Sequence, residues 1–388
     1  MTGDVQACEV RATDADLDDL RARLAAARLP EAETVHGAAP GPRRWGQGVP
    51  LADLVDVVNY WRTEYDWRAF EERLHRIGQF RTTIDGLGIH FLHRRSARAD
   101  ATPLIMTHGW PGSIAEFSEV IDELADPQDA DAPAFHVVAP SLPGFGYSDK
   151  PTVTGWGLEK IAAAWVELMG RLGYDKFAAH GGDWGGVITT ILGGRFPAHV
   201  LGIHNLTPQA PPGLPTDGLT AAERVWTQET RDFWHGPRAA FAKQQAARPQ
   251  TIGYSLADSP VGLLAWILDK FAEWTDTKDS PFETISRDRI LDNVTLYWLT
   301  RTGASSARIY YESHDSLDPE LRVDVPSALS VYPHDIEKCP RPWAQVRYRQ
   351  IVRWNEPETG GHFPSLEVPE YFVNDLREGI AAALAARP

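Results

Sequence analysis

A chain of 388 residues, 43% hydrophobic and 23% charged, can bury a large core and form one catalytic domain with a cap, or two to three smaller units. Its formal charge of −15 argues against a nucleic-acid partner. Two widely separated cysteines, Cys8 and Cys339, fit a reducing cytoplasm better than a disulfide or a metal site. The N-terminus lacks the basic and apolar blocks of a signal peptide, and no apolar run approaches a membrane span, so a soluble, cytoplasmic protein without a membrane anchor is expected.

Three zones follow along the chain. In the first, TDADLDDLRARLAAA (13–27) places Leu17, Leu20 and Leu24 on one helical face behind a Thr/Asp cap. A loop is expected over 36–48, then an aromatic-rich helical region over 49–74. The second zone alternates strands and helices. FRTTIDGLGIHFLHRR (80–95) reads as a hairpin turning at Asp85–Gly86, and strands are expected in PLIMTHGW (103–110), FHVVAP (135–140), KFAAHG (176–181) and VLGIHNLTP (200–208). A helix is expected over 158–172. Such alternation implies a mostly parallel sheet with helices on both faces. The third zone, 209–310, is helical and rich in tryptophan, after which strands resume at 325–333 and 350–355. A helical insertion in a parallel sheet is a cap over the carboxyl edge of the strands, where such sheets bind ligands. The expected division is therefore 1–79 extension, 80–208 core, 209–310 cap and 311–388 core.

AAHGGDWGGV (178–187) holds the first chemistry. Small residues surround Asp183 between a strand and a helix, the pattern of a nucleophile elbow whose tight turn tolerates little side chain. A glycine-rich turn whose Asp merely caps the helix is the alternative. HGWPGS (108–113) follows an earlier strand, where this architecture supplies an oxyanion-binding N–H. GGHF (360–363) follows the last strand and places His362 where a base belongs. The order nucleophile, acid, base is that of the α/β-hydrolase fold. HFLH (90–93) has H-x-x-H spacing, but on a strand the two rings point to opposite faces, so no metal is expected.

HGWPGS, HGGDWGG, DSPVGLLAWILDKFAEWTD (258–276) and GGHFPSLEVPE (360–370), together with WGQGVPL, YDWR and FRTTIDGLGIHFLH in the first hundred residues, resemble the epoxide hydrolases of the microsomal and juvenile-hormone type over nearly the full chain. The resemblance implies a cofactor-free reaction between a small-molecule epoxide and water that gives a vicinal diol. Asp183 is the implied nucleophile, which forms an alkyl ester, and His362 the base that activates water to hydrolyse it. The backbone N–H groups of Trp110 and Trp184 form the oxyanion hole. VYPHD places the orienting acid at Asp335, with Glu337 as runner-up. Asn205, where some dehalogenases keep their acid, is not one. His108 is expected in the substrate pocket.

The family protonates the leaving oxygen with two cap tyrosines. One maps to Tyr310, with Tyr311 beside it. The other maps to Phe241, which cannot donate, and this is the one departure from the pattern. Tyr254 is a candidate substitute, although plain packing is its favoured reading, and the N–H of Trp234 is another. A haloalkane dehalogenase would share the nucleophile and base, and a non-catalytic ligand-binding protein is the alternative of another class. The aromatic cap suggests a bulky or aryl-bearing epoxide. Arg-over-Lys and Ala-rich usage points to a GC-rich bacterial genome and a role in detoxification or secondary metabolism. The sequence leaves monomer and homodimer open.

Overall fold

The computed structural model describes residues 4–35, 45–313 and 317–387. Residues 36–44 of the loop expected over 36–48 lie outside them. Nine strands are seen among the described residues: β1 Gln6–Ala7, β2 Gln79–Ile84, β3 Leu87–Arg94, β4 Thr102–Thr107, β5 Phe135–Pro140, β6 Phe177–Gly181, β7 Val200–Asn205, β8 Ser327–Ser330 and β9 Ile351–Asn355. They form one sheet in the order β1-β2-β3-β5-β4-β6-β7-β8-β9. The pairs from β1 to β5 through β3 are antiparallel, and the rest are parallel.

The β2–β3 hairpin turns where expected. Asp85 and Gly86 have φ of 50° and 77°, the two positive angles that a type I′ turn requires. The central strands are buried apolar runs because helices cover both faces. Helices Leu158–Arg171 and Asp183–Arg195 pack one face, and Ile121–Ala125 with Pro369–Ala385 pack the other.

In the extension, Thr13 and Asp16 form a capping box at the start of helix Asp14–Ala25, whose Leu17, Leu20 and Leu24 are buried. The region expected as one helix over 49–74 is two, Leu51–Thr63 and Trp67–Ile77. Asp66 ends the continuity because its carboxylate accepts from Arg68 N–H and caps a new helix. The cap comprises helices Ala221–His235, Ala240–Ala247, Pro249–Asp258, Pro260–Trp274, Arg287–Thr300 and Gly303–Ser313. Pro249 and Pro260 each open a helix, since proline lacks the N–H that a helix interior needs. The last helix runs to Ser313, past the expected cap boundary at 310.

Helix Arg287–Thr300 joins extension, cap and core. From the extension, Trp61 Nε1 donates to Thr295 Oγ1 (2.9 Å), and the Tyr65 hydroxyl (2.7 Å) and Arg73 (2.9 Å) reach Asp292. On the core side, Asn293 Nδ2 donates to the carbonyl of Pro111 and the Tyr297 hydroxyl to that of Gly112, each at 2.8 Å. The loop after β4 is thus held by the cap, which is held by the extension.

No single helix among the described residues is long and apolar enough to cross a membrane. Cys8 and Cys339 are free thiols.

Candidate active site

The turn between β6 and helix Asp183–Arg195 puts Asp183 at φ 51°, a left-handed conformation that costs a non-glycine residue about 1–2 kcal/mol. Two hydrogen bonds hold it there. Its N–H donates to Thr207 Oγ1 (2.8 Å), and its Oδ1 accepts from the main-chain N–H of Trp110 (2.9 Å). The small neighbours follow from close approach. A Cβ on Gly109 would lie 2.1 Å from Asp183 Oδ1, and one on Gly185 would lie 1.9 Å from the Thr107 carbonyl oxygen. The helix therefore packs directly on the end of β4, and the carboxylate crosses the chain that carries Trp110. The N–H of Trp184 belongs to the first turn of this helix, where no intrahelical acceptor exists.

The loop after β9 delivers His362. Its Nδ1 donates to Asp335 Oδ1 (2.8 Å), and its Nε2 lies 3.4 Å from Asp183 Oδ2. The side chains of His362 and Asp335 are each 4% exposed, while that of Asp183 is 20% exposed, so the nucleophile candidate is the member that meets open space. Burial alone would lower the basicity of His362, but the flanking carboxylates of Asp335 and Asp183 hold it well above the usual imidazole value.

Glu367 fixes this loop. Its carboxylate accepts from the N–H groups of Gly361 (3.1 Å), Phe363 (2.9 Å) and Asp276 (2.7 Å). Burial pushes its carboxyl up to about 7, against those hydrogen bonds. The N–H of His362 in turn donates to the carbonyl of Trp274, the last residue of a cap helix, at 2.8 Å.

Aromatic rings close over the carboxylate. Trp110 stacks on Phe241 with centroids 5.2 Å apart, and Tyr310 meets Trp110 and Trp184 edge-on at 5.7 and 4.9 Å. Burial, and then the charge of Asp183, raise Tyr310 well above an ordinary phenol, so its proton is retained at neutral pH. Beside Asp183 and His362 is a cavity of about 20 Å³, bounded also by Trp110, Glu116, His180 and Phe363 among others. That is room for about one water molecule. Burial and the nearness of Asp183 push Glu116 up to about 8, against the opposing influence of His362.

The structure thus brings Asp183, His362, Asp335, Trp110, Trp184, Tyr310 and Phe241 together. The remaining candidates lie elsewhere. His108 does not enter the pocket; its Nδ1 donates to the Gly109 carbonyl and its Nε2 accepts from Leu142 N–H, which leaves no ring nitrogen free. Tyr254, weighed as a donor or a packing residue, is 70% exposed and does neither. Tyr311 is exposed, because helix Gly303–Ser313 turns it away from its neighbour Tyr310. Trp234 packs edge-on against Phe233, behind Phe241. Glu337 accepts from Gln209 Nε2 (3.2 Å), so the ring of His362 is left to Asp335. Asn205 is structural: its amide donates to the Gly186 carbonyl and Thr190, and its oxygen accepts from Thr207 N–H. His90 and His93 point to different surroundings, His90 to Ser141 and Gln79, His93 to Tyr174.

Three nearby groups escaped the sequence reading: Glu116, His180 and Glu367. Glu116 had a signal, since Ser113-Ile114-Ala115-Glu116 has the spacing of a capping box. The others had none, because strand neighbours and loop closure bring them in.

Two family models match the chain. The model described as epoxide hydrolase N terminus matches residues 5–117, and that of the alpha/beta hydrolase fold matches 102–253. A Stigmatella aurantiaca protein assigned as an epoxide hydrolase is 49% identical over 93% of this chain and 81% of its own length. Epoxide hydrolase 1 of Sus scrofa is 32% identical over 95% of this chain and 87% of its own. Among solved structures, the Aspergillus niger epoxide hydrolase superposes with a TM-score of 0.86 at 32% identity, covering 99% of this chain and 97% of that one.

Proposed function

The chain belongs to the epoxide hydrolases of the α/β-hydrolase fold, hydrolases of ether bonds that give vicinal diols, and we propose that Asp183, His362, Asp335 and Tyr310 carry its reaction. The observation that supports this most is the division of labour on one carboxylate. Oδ1 of Asp183 is held by Trp110 N–H, while Oδ2 faces His362.

In this reading Oδ2 attacks an epoxide carbon and the ring C–O bond breaks. The alkoxide takes the Tyr310 proton. His362, cationic between two carboxylates in the free enzyme, loses the support of Asp183 once that group is esterified, and its proton passes to Tyr310. Neutral His362 then takes a proton from a water in the small cavity, and the hydroxide adds to Cγ of Asp183. The oxyanion on Oδ1 rests on the N–H groups of Trp110 and Trp184. When the Cγ–Oδ2 bond breaks, His362 returns its proton to Oδ2 and the diol departs; the new Asp183 carboxyl then gives its hydroxyl proton to His362, which restores the ion pair. Asp335 orients the imidazole throughout. The stacked rings around Asp183 suit an aryl-bearing epoxide, and the free thiols suit the cytoplasm.

A panel of aryl and alkyl epoxides and haloalkanes, assayed for diol and halide, tests the reading. Diol from epoxides without halide release is expected, and halide release would move the enzyme to the dehalogenases. A single turnover in oxygen-18 water should give unlabelled diol, because the added oxygen is Oδ2. Labelled diol in that turnover would replace the ester with direct attack by water.

A further inference from the structure

Trp184 follows Asp183 in the first turn of helix Asp183–Arg195, and its indole carries a donor with nothing to donate to. Nε1 is shielded from solvent and has no hydrogen-bond partner among the described residues. A buried donor left unmade is costly, and native proteins keep few of them. The ring of Tyr310 lies against this indole, with centroids 4.9 Å apart and planes at 87°. Burial, and then the charge of Asp183, raise the Tyr310 hydroxyl. The indole N–H opposes them as a donor to that hydroxyl, and Tyr297 adds a smaller upward push. The N–H is therefore close to the phenol oxygen of Tyr310 without meeting it in full hydrogen-bond geometry.

Such a loose contact suits a neutral phenol, which is a weak acceptor. A phenolate is a different partner, because a hydrogen bond to an ionised acceptor is shorter and roughly twice as strong. Ring opening creates that phenolate. Oδ2 of Asp183 bonds to the epoxide carbon, the ring C–O bond breaks with its electron pair on oxygen, and this oxygen takes the Tyr310 proton. The negative charge then sits on the oxygen of Tyr310 until the proton of His362 restores the phenol. Burial makes an unanswered charge there expensive. Phe241, whose ring stands 6.0 Å from that of Tyr310, has no donor to offer.

We propose that the side chain of Trp184 is a positioning group for ring opening: its indole N–H, idle in the free enzyme, donates to the oxygen of Tyr310 as that residue gives its proton to the leaving oxygen. This rests on the reading of Asp183 as nucleophile and Tyr310 as acid. The donor is already beside the atom that gains charge, so little has to move at the moment of reaction. A single cap tyrosine backed in this way can serve where Phe241 leaves no second hydroxyl. The role is separate from that of the Trp184 main-chain N–H, which acts on the ester oxyanion in the second step.

The test removes the N–H and keeps the shape. Benzothienylalanine, introduced at position 184 by amber suppression, puts sulfur where the indole has N–H and leaves the main chain intact. Single turnovers of styrene oxide, followed by rapid quench and intact-protein mass spectrometry, separate alkylation from ester hydrolysis. The wild type, the sulfur analogue, Tyr310→Phe and their combination form a double-mutant cycle. In the analogue alkylation should slow between about tenfold and a hundredfold, the worth of one hydrogen bond to a charged group, with hydrolysis unchanged. In the Tyr310→Phe background, where no phenolate forms, the same replacement should cost nothing further. Unchanged alkylation, or equal losses in both steps, would overturn the proposal. An undiminished loss without Tyr310 would place the N–H on the epoxide oxygen itself and overturn it as well. Trp184→Phe, which also lacks the donor, should repeat the pattern, and full-rate alkylation there is a second refutation. Absence of any covalent ester in the wild type would instead sink the reading of Asp183, and equal alkylation by wild type and Tyr310→Phe that of Tyr310.

Discussion

Trp110 donates its main-chain N–H to Oδ1 of Asp183 at 2.9 Å, so the two oxygens of that carboxylate are already unequal before substrate arrives. In the proposed mechanism the held oxygen becomes the ester carbonyl, and the other is the attacking atom. Since the donor is a backbone group in the loop after β4, no side-chain substitution at position 110 removes it, and the two steps are better separated through His362 and its acid.

His362→Gln should allow alkylation and stop hydrolysis, so that mass spectrometry finds the enzyme trapped as its ester. Asp335→Asn should slow the same step by about a hundredfold or more, through a misoriented imidazole without charge support. Glu337→Gln should change it little, because Glu337 is engaged by Gln209. A larger effect at Glu337 than at Asp335 would move the acid by two positions.

Tyr310→Phe should cripple ring opening. One donor at a developing alkoxide is worth about 3–4 kcal/mol by analogy with oxyanion-hole deletions, and Phe241 offers no second one. Tyr254→Phe, on an exposed ring, should be silent. Phe241→Tyr should raise the alkylation rate, measured before the steady state, since ring 241 stands 6.0 Å from ring 310 in the same aromatic cluster. A mild Tyr310→Phe phenotype would show that another group protonates the leaving oxygen.

The two steps should titrate differently. Alkylation needs the Asp183 anion beside a protonated His362, whose pKa is held well above its usual value. Hydrolysis needs neutral His362 after esterification has removed the Asp183 charge. Alkylation should therefore fall at high pH, and hydrolysis should rise through a lower apparent pKa. Transient kinetics across pH check the order, and coincident values would refute the charge coupling.

Glu116 links pH to stability. Its folded pKa of about 8 stands above the ordinary glutamate value, so the native state keeps a proton that the unfolded chain has released. Its contribution is whole below the unfolded pKa, near 4.3, and is lost as pH rises through about 8. The slope is at most about 1.4 kcal/mol per pH unit. Denaturation of Glu116→Gln between pH 5 and 9 should show a shallower alkaline fall than the wild type. Parallel curves would mean that Glu116 is ionised in the native state.

What could be read from the chain was whatever chemistry imposes locally. The elbow was legible because Asp183 in a left-handed turn, crossed by close chain, requires small residues at 181, 185 and 186. The hairpin was legible because Asp85–Gly86 suits two positive φ angles. His108 was misread because a histidine after a core strand looks the same whether its ring faces substrate or, as here, two main-chain groups. Tyr254 and Tyr311 were weighed for chemistry because helix phase decides exposure, and short cap helices interrupted by prolines carry too little periodicity to show it. The contact of His180 with His204 was invisible, since the two are 24 positions apart and only the pairing of β6 with β7 makes them neighbours.

Helix Arg287–Thr300 has a consequence for engineering. Its Asn293 and Tyr297 grip the backbone carbonyls just beyond Trp110, while its Asp292 and Thr295 are gripped by the extension. Cap, extension and oxyanion loop are therefore one inheritable unit rather than interchangeable parts. A chimera that imports a foreign cap to broaden substrate range, but keeps the native first hundred residues, would leave Tyr65 and Arg73 facing unmatched partners beside the loop that carries Trp110. Selectivity could then change together with catalytic competence, so recombination breakpoints belong outside the whole unit.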